Sequence, residues 1–132
     1  MPKNALKSKK LKVHKCLTCS EGDSIAKISK VLKENKDRRI FVVDNDNGLK
    51  GIITTTDLVY KALANDKLNL KAADIMEKNV GVIDLKEPLE KALGIMNAHK
   101  SFVCPVVEKK KLLGVVSYHD ILDYVVSDSR EG

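Results

Sequence analysis

Two pairs of side chains in this sequence have the types and spacing either to hold a sugar diol or to cap a helix. They are Thr54 with Asp57 and Ser117 with Asp120. In each, a hydroxyl stands three residues before a carboxylate and three residues after a glycine, Gly51 or Gly114. The stretches 51–57 (GIITTTD) and 114–120 (GVVSYHD) are therefore one seven-residue pattern, repeated 63 positions apart. A carboxylate can accept both hydroxyls of a ribose, a Ser or Thr beside the open N–H groups of a helix start can face phosphate, and glycine permits close backbone approach. Helix capping is the simpler use of the same residues, because the first N–H groups of a helix lack partners. A cap, however, demands neither the glycine nor a second occurrence. Neither hydroxyl has a neighbouring base and orienting acid, and His119 beside Asp120 in sequence is not a dyad, so no catalytic residue is assigned.

The repeat extends beyond these motifs. Residues 40–44 match 104–108, and Ile25, Ile28 and Leu32 match Leu89, Ala92 and Met96, all 64 positions apart. The change of register falls in a turn, where Asn45, Asp46, Asn47 and Gly48 are one residue longer than their lysine-rich counterpart. Leu58, Val59, Ala62 and Leu63 match Ile121, Leu122, Val125 and Val126 at the same helical offsets after each aspartate. Each copy thus predicts a short extended segment, a helix, two strands and a second helix, an α+β class. The first helix is expected over 24–35, with Asp23 or Ser24 as N-cap, and Pro88 suits the first turn of its equivalent. The runs 40–43 and 50–53, with a turn between them, should pair antiparallel, and the helix after them should begin near Thr56 or Asp57. The organisation expected is a basic tail at 1–10, a first copy at 11–66, a second at 67–126 and a tail at 127–132. Units this short bury too small a fraction of their surface to be robust alone, so one shared core is expected. Val42, Val43, Ile52, Ile53, Val106, Val107, Val115 and Val116 should be buried in it.

The net charge of +6 is local: the first fifteen residues carry six lysines and no acid, leaving eighteen basic residues against eighteen acidic ones. That places a basic tail on a neutral body, read as a solvated end or as an arm for nucleic acid. Cys16, Cys19 and Cys104 are an odd count, which speaks against a disulfide framework. His14, Cys16 and Cys19 would supply three metal ligands where a structural zinc needs four, so no metal is assigned and the thiols read as ordinary side chains, with metal or redox chemistry as the alternative. No apolar run approaches the roughly 18 residues of a membrane span, and no signal sequence is evident, so a cytoplasmic protein without a membrane partner is expected.

The two glycine–hydroxyl–aspartate motifs, the strand start at Pro105, Val106 and Val107, the Asp74-Ile75-Met76 that leads into the second copy, and the order of elements together resemble a tandem pair of cystathionine β-synthase (CBS) domains, the Bateman module. The resemblance covers about residues 11–126. It implies two βαββα units related by a pseudo-twofold axis with two clefts, a homodimer, and a regulatory ligand that is AMP, ADP, ATP or S-adenosylmethionine, with no catalytic cofactor. With about ten residues before the repeats and six after them, a stand-alone module signalling to an unidentified regulated protein is expected. Carried over by position, the resemblance implies a primary site of Cys16, Thr18, Asp37, Arg38, Arg39, Ser117, His119 and Asp120. It implies a second site of Thr54, Thr56, Asp57, Val80, Val82, Ser101, Phe102 and Val103. Guanidinium groups suit phosphate, so Arg38 and Arg39 favour the first, unless they are merely solvated. His119 either serves phosphate or lies in solvent. Phe41 stands where the family commonly has proline, and the start of the first copy lacks an Asp-Ile-Met.

Overall fold

The structure, a computed structural model, describes residues 11–131, with side chains through residue 126; Lys3, Lys7, Lys9 and Lys10 of the expected tail lie outside the described residues. Two compact units form, one from Cys16–Val80 and one from residues 11–15 together with 81–131.

In the first unit the order is β1 (Thr18–Ser20), α1 (Ile25–Asn35), β2 (Arg39–Val43), β3 (Leu49–Thr54), α2 (Thr55–Asp57) and α3 (Ala72–Ile75). The Ser24 hydroxyl caps α1 by accepting the Lys27 N–H at 3.1 Å, and Ile25, Ile28 and Leu32 put one apolar stripe inward. Lys36, at φ 52°, ends the helix in the left-handed conformation and returns its N–H to the last turn. The sheet order is β1-β2-β3, with β1 parallel and β3 antiparallel to β2. A parallel pair needs a crossover, and α1 supplies it.

The second unit repeats the plan with β4 (Ile83–Asp84), α4 (Leu89–His99), β5 (Val103–Glu108), β6 (Lys111–Ser117) and α5 (Tyr118–Glu131). Its sheet order is β4-β5-β6, and Lys100, at φ 51°, closes α4 as Lys36 closes α1. Pro88 is the residue before the first turn of α4. The hairpins absorb the one-residue difference: β5 and β6 turn through Lys109 and Lys110, both at positive φ, whereas the longer turn of the first unit uses Asn47 in that conformation. Both antiparallel pairs carry a bulge at the same place, at Val42/Val43 and at Val106/Val107.

Buried side chains cluster around Ile28, Ile40 and Ile53 in one unit and around Ile83, Val106 and Val116 in the other. Two expectations need correcting. Of the eight strand residues singled out, Val43, Ile52 and Val115 are only half-buried, because alternate side chains of a strand face opposite ways. The helix after β3 begins at Thr55, one residue before the expected Thr56, with Thr54 as its cap, and it is not regular: Leu58–Ala62 are π-helical and Leu63–Asn65 form a 3-10 turn.

Each sheet also receives an edge segment from a part of the sequence outside its own copy as read. His14 pairs antiparallel with Val115 of β6, and Glu77 pairs in the same way with Ile52 of β3. Both pairs make two backbone hydrogen bonds: His14 N–H to Val115 O at 2.8 Å and Val115 N–H to His14 O at 2.9 Å, and Ile52 N–H to Glu77 O at 3.0 Å and Glu77 N–H to Ile52 O at 2.8 Å. The repeated glycines make room for them. A β-carbon on Gly51 would stand 2.9 Å from the Glu77 carbonyl oxygen, and one on Gly114, at φ +154°, would collide with that of His14.

Gly51→Ala should therefore cost about 1–3 kcal/mol through overpacking against backbone. Gly94→Ala, in α4 with open space around it, should stabilise by about 0.5–1 kcal/mol. Urea unfolding of both variants checks the opposite signs; equal midpoints would contradict the close approach at Gly51.

Candidate functional site

Each repeated motif lies where a β-strand runs directly into a helix. Thr54 closes β3 and precedes α2; Ser117 closes β6 and precedes α5. In the first unit the capping arrangement is reciprocal: the Asp57 N–H donates to Thr54 Oγ1 at 3.2 Å, and the Thr54 N–H and hydroxyl both donate to Asp57 Oδ2, at 2.9 and 3.1 Å. In the second, the Asp120 N–H donates to Ser117 Oγ at 3.0 Å and the Ser117 hydroxyl donates to Asp120 Oδ2 at 2.8 Å. Capping is thus satisfied in both, and each such cap is worth about 1 kcal/mol.

The two carboxylates differ in what else reaches them. Asp57 Oδ1 is 3.1 Å from Lys61 Nζ, so both its oxygens are engaged and its charge is compensated by a lysine one turn along. Asp120 Oδ2 receives a second partner, Nε2 of His14, from the edge segment beside β6. Oδ1 of Asp120 has no partner among the described residues. The His14 imidazole first, and the Ser117 hydroxyl second, hold Asp120 below the usual carboxylate range, against some desolvation.

The expected site residues distribute over both units. In the first, Cys16 is half-buried, Thr18 is exposed on β1, and Asp37 is exposed with Oδ1 accepting the Arg38 N–H at 2.7 Å. Arg39 opens β2 opposite Thr54, and the Arg38 carbonyl accepts the Thr55 N–H at 3.0 Å, so both arginines adjoin the Thr54–Asp57 motif of their own unit. Thr56 is exposed and Val80 half-buried. In the second unit Val103 lies opposite Ser117, and the Phe102 carbonyl accepts the Tyr118 N–H at 2.8 Å, so Ser101, Phe102 and Val103 adjoin the Ser117–Asp120 motif. The Ser101 hydroxyl donates to the Val103 carbonyl at 2.9 Å, and Val82 is half-buried. His119 is solvated, with Nε2 3.3 Å from Asp123 Oδ2 on the outer face of α5.

Sequence reasoning missed His14 as a neighbour of Asp120, having weighed it only as a metal ligand. The signal was available: His14 stands 63 positions before Glu77, the spacing of the motifs themselves. Sequence reasoning also missed Tyr118, whose ring meets Phe102 edge to face at a centroid distance of 6.4 Å. These two rings help line an apolar groove of about 630 Å³ between α4 and α5, with Leu93, Met96, Leu122 and Val125.

All three thiols are free, and burial raises each above its ordinary value: Cys16, where the charge of Asp37 adds to the effect, Cys19 to about 11 and Cys104 to about 12. A protonated thiol is a poor nucleophile and a poor ligand. Among the described residues no three His, Cys, Asp or Glu side chains converge as a cation site, and no helix is long and apolar enough to cross a membrane.

A sequence profile of the CBS domain matches this chain twice, over residues 9–64 and 72–127. The chain belongs to the CBS domain family. As a CBS pair it is 37% identical to a CBS domain-containing protein of Dictyostelium discoideum over 112 residues, 74% of this chain and 75% of that one. It is 33% identical over 105 residues to a homoserine O-acetyltransferase of Methanohalobium evestigatum, covering 79% of this chain but spanning only 21% of that enzyme. Among solved structures, the CBS domain pair of protein MJ0100, in complex with 5′-methylthioadenosine and S-adenosyl-L-methionine, superposes with a TM-score of 0.68 at 29% identity, covering 83% of this chain and 90% of that one.

The acid side of stability follows from the carboxylates of this CBS pair. Asp120 is held low by His14, Asp23 chiefly by the Ser20 N–H, and Glu87 chiefly by Lys91. A carboxyl depressed in the folded state contributes stability that is complete above its unfolded value, about 4, and is lost as pH falls through the folded one. Urea midpoints should accordingly fall below about pH 4, and Asp120→Asn should make that fall shallower. A parallel loss in the variant would mean that the His14–Asp120 contact does not contribute.

Proposed function

We propose that this CBS pair is a regulatory, non-catalytic module that binds an adenosine-containing ligand, with the ribose on Asp120, and signals to a partner through a conformational change. The observation that carries the reading is the contrast between the carboxylates. Asp57 has both oxygens engaged and a lysine on its charge, whereas Asp120 keeps Oδ1 open to a ligand hydroxyl. The ligand-bound CBS pair of protein MJ0100 supports the choice of an adenosine compound; AMP, ADP, ATP and S-adenosylmethionine are the candidates. Ser117 and His119 are the neighbours assigned to phosphate. Signalling then requires only that the ligand bind one conformation better than another. Three free thiols fit a reducing, cytoplasmic location.

Ligand binding to the folded state raises its stability with concentration, so melting temperatures with AMP, ADP, ATP, S-adenosylmethionine and 5′-methylthioadenosine test the reading directly. Asp120→Ala removes charge-assisted hydrogen bonds worth about 1.5–3 kcal/mol and should weaken the bound compound roughly ten- to hundredfold. Asp57→Ala should leave that affinity within about twofold; the reverse order would move the ribose to Asp57.

The helices after the two aspartates carry more apolar surface than their units bury. Tyr60 is 70% and Leu63 60% exposed in one, and Leu122, Val125 and Val126 are nearly half exposed in the other, beside Phe102 at 75%. A second copy of this chain is the proposed cover, giving a homodimer. Light scattering should give about twice the 14.6 kDa of the monomer at micromolar concentration, and Leu122→Asp with Val125→Asp should return it to monomer. A wild-type mass of one chain would exclude the dimer.

A further inference from the structure

Residues 11–15 lie along the outer edge of β6 as a short strap. Its backbone is fixed at one place, the His14–Val115 pair, while Leu11 and Val13 pack against the buried cluster and Lys12 and Lys15 are exposed. Among the described residues its one polar side-chain attachment is the imidazole of His14 on Asp120. The matching segment at Glu77 makes the same backbone pair but has no such attachment to Asp57. A glutamate cannot compensate an aspartate, and Glu77 Oε1 instead accepts the Asn79 N–H at 3.1 Å. The side-chain link from strap to carboxylate therefore exists in one unit and not in the other.

A carboxylate oxygen offers about two lone-pair directions. Oδ2 of Asp120 already accepts from Ser117 and from His14, leaving Oδ1. A diol that donates one hydroxyl to each oxygen needs a place on Oδ2. Ser117 belongs to the same strand-to-helix turn and stays; His14 belongs to the strap and can leave. We propose that His14 is a latch, such that attachment of residues 11–15 to β6 and occupation of Asp120 by a diol oppose each other. Ligand binding loosens the strap. By linkage, whatever draws the strap away tightens the ligand by the same factor. The coupling rests on the reading of Asp120 as the ribose carboxylate; the latch itself does not.

Hydrogen exchange of the 11–15 and 113–116 segments in the full chain separates the two. Without ligand, Asp120→Ala and His14→Ala should each speed exchange at the His14 and Val115 amides at least tenfold, and unchanged exchange in both would overturn the latch. With AMP, ATP or S-adenosylmethionine added to wild type, the same amides should exchange faster, and the 2′,3′-dideoxy analogue of the compound that binds should not produce the effect. His14→Ala should bind that compound several-fold more tightly; equal or weaker binding would overturn the competition. Gly114→Ala displaces the strap sterically with His14 and Asp120 intact, and should also tighten binding. If no adenosine compound binds either wild type or His14→Ala, the adenosine reading fails, while the ligand-free exchange still decides the latch.

Discussion

At Gly114 a β-carbon would lie 2.1 Å from a carbonyl oxygen of the chain, and at Gly51 one would lie 2.9 Å from another. A side chain at either position would force the neighbouring segment to shift against the two backbone hydrogen bonds that fix it. The unpaired edge of a strand is a liability, and these segments cover it. Because each segment comes from a stretch of sequence remote from the strand it covers, the same constraint determines which residues arrive beside each helix start.

What arrives is different in the two units, and the difference gives the repeated motifs different chemistry. Both aspartates hold a hydroxyl-based cap. Asp57 finds its further partner on its own helix, in Lys61. Asp120 finds its partner on the strap, in His14. An exposed pair within one helix contributes little, a few tenths of a kcal/mol, and leaves nothing to exchange. A contact to a separate segment can be broken by moving that segment, which is what a regulatory site requires. Two copies of one motif thereby become a satisfied carboxylate and an available one.

The helices that follow diverge in the same spirit. Equivalent apolar residues stand after each aspartate, yet α5 is a regular helix from Tyr118 to Glu131, whereas the first unit passes through π and 3-10 turns within eight residues. The buried residue differs, Ala62 in the first and Ile121 in the second, which are not equivalent positions of the repeat, and most of the remaining apolar side chains are left outside. That surplus is economical only if something covers it, since contiguous exposed apolar surface favours association.

The sequence by itself determined the repeat, the order of elements, the antiparallel hairpins, the stripe on α1 and α4, and the family. These depend on periodicity and on short-range chemistry, such as the Ser24 cap or the turn at Asn47, which neighbours in sequence decide between themselves. It also marked the two strand-to-helix caps, Thr54 with Asp57 and Ser117 with Asp120, because a hydroxyl three residues before a carboxylate is a local arrangement. It misjudged the glycines, whose close neighbour is the chain's own carbonyl, and it placed His14 with Cys16 and Cys19, which lie near it in sequence, although its side chain meets Asp120, 106 residues away. Only the tertiary structure could decide these points, because periodicity records which side of a strand is buried but not which distant segment lies along its edge.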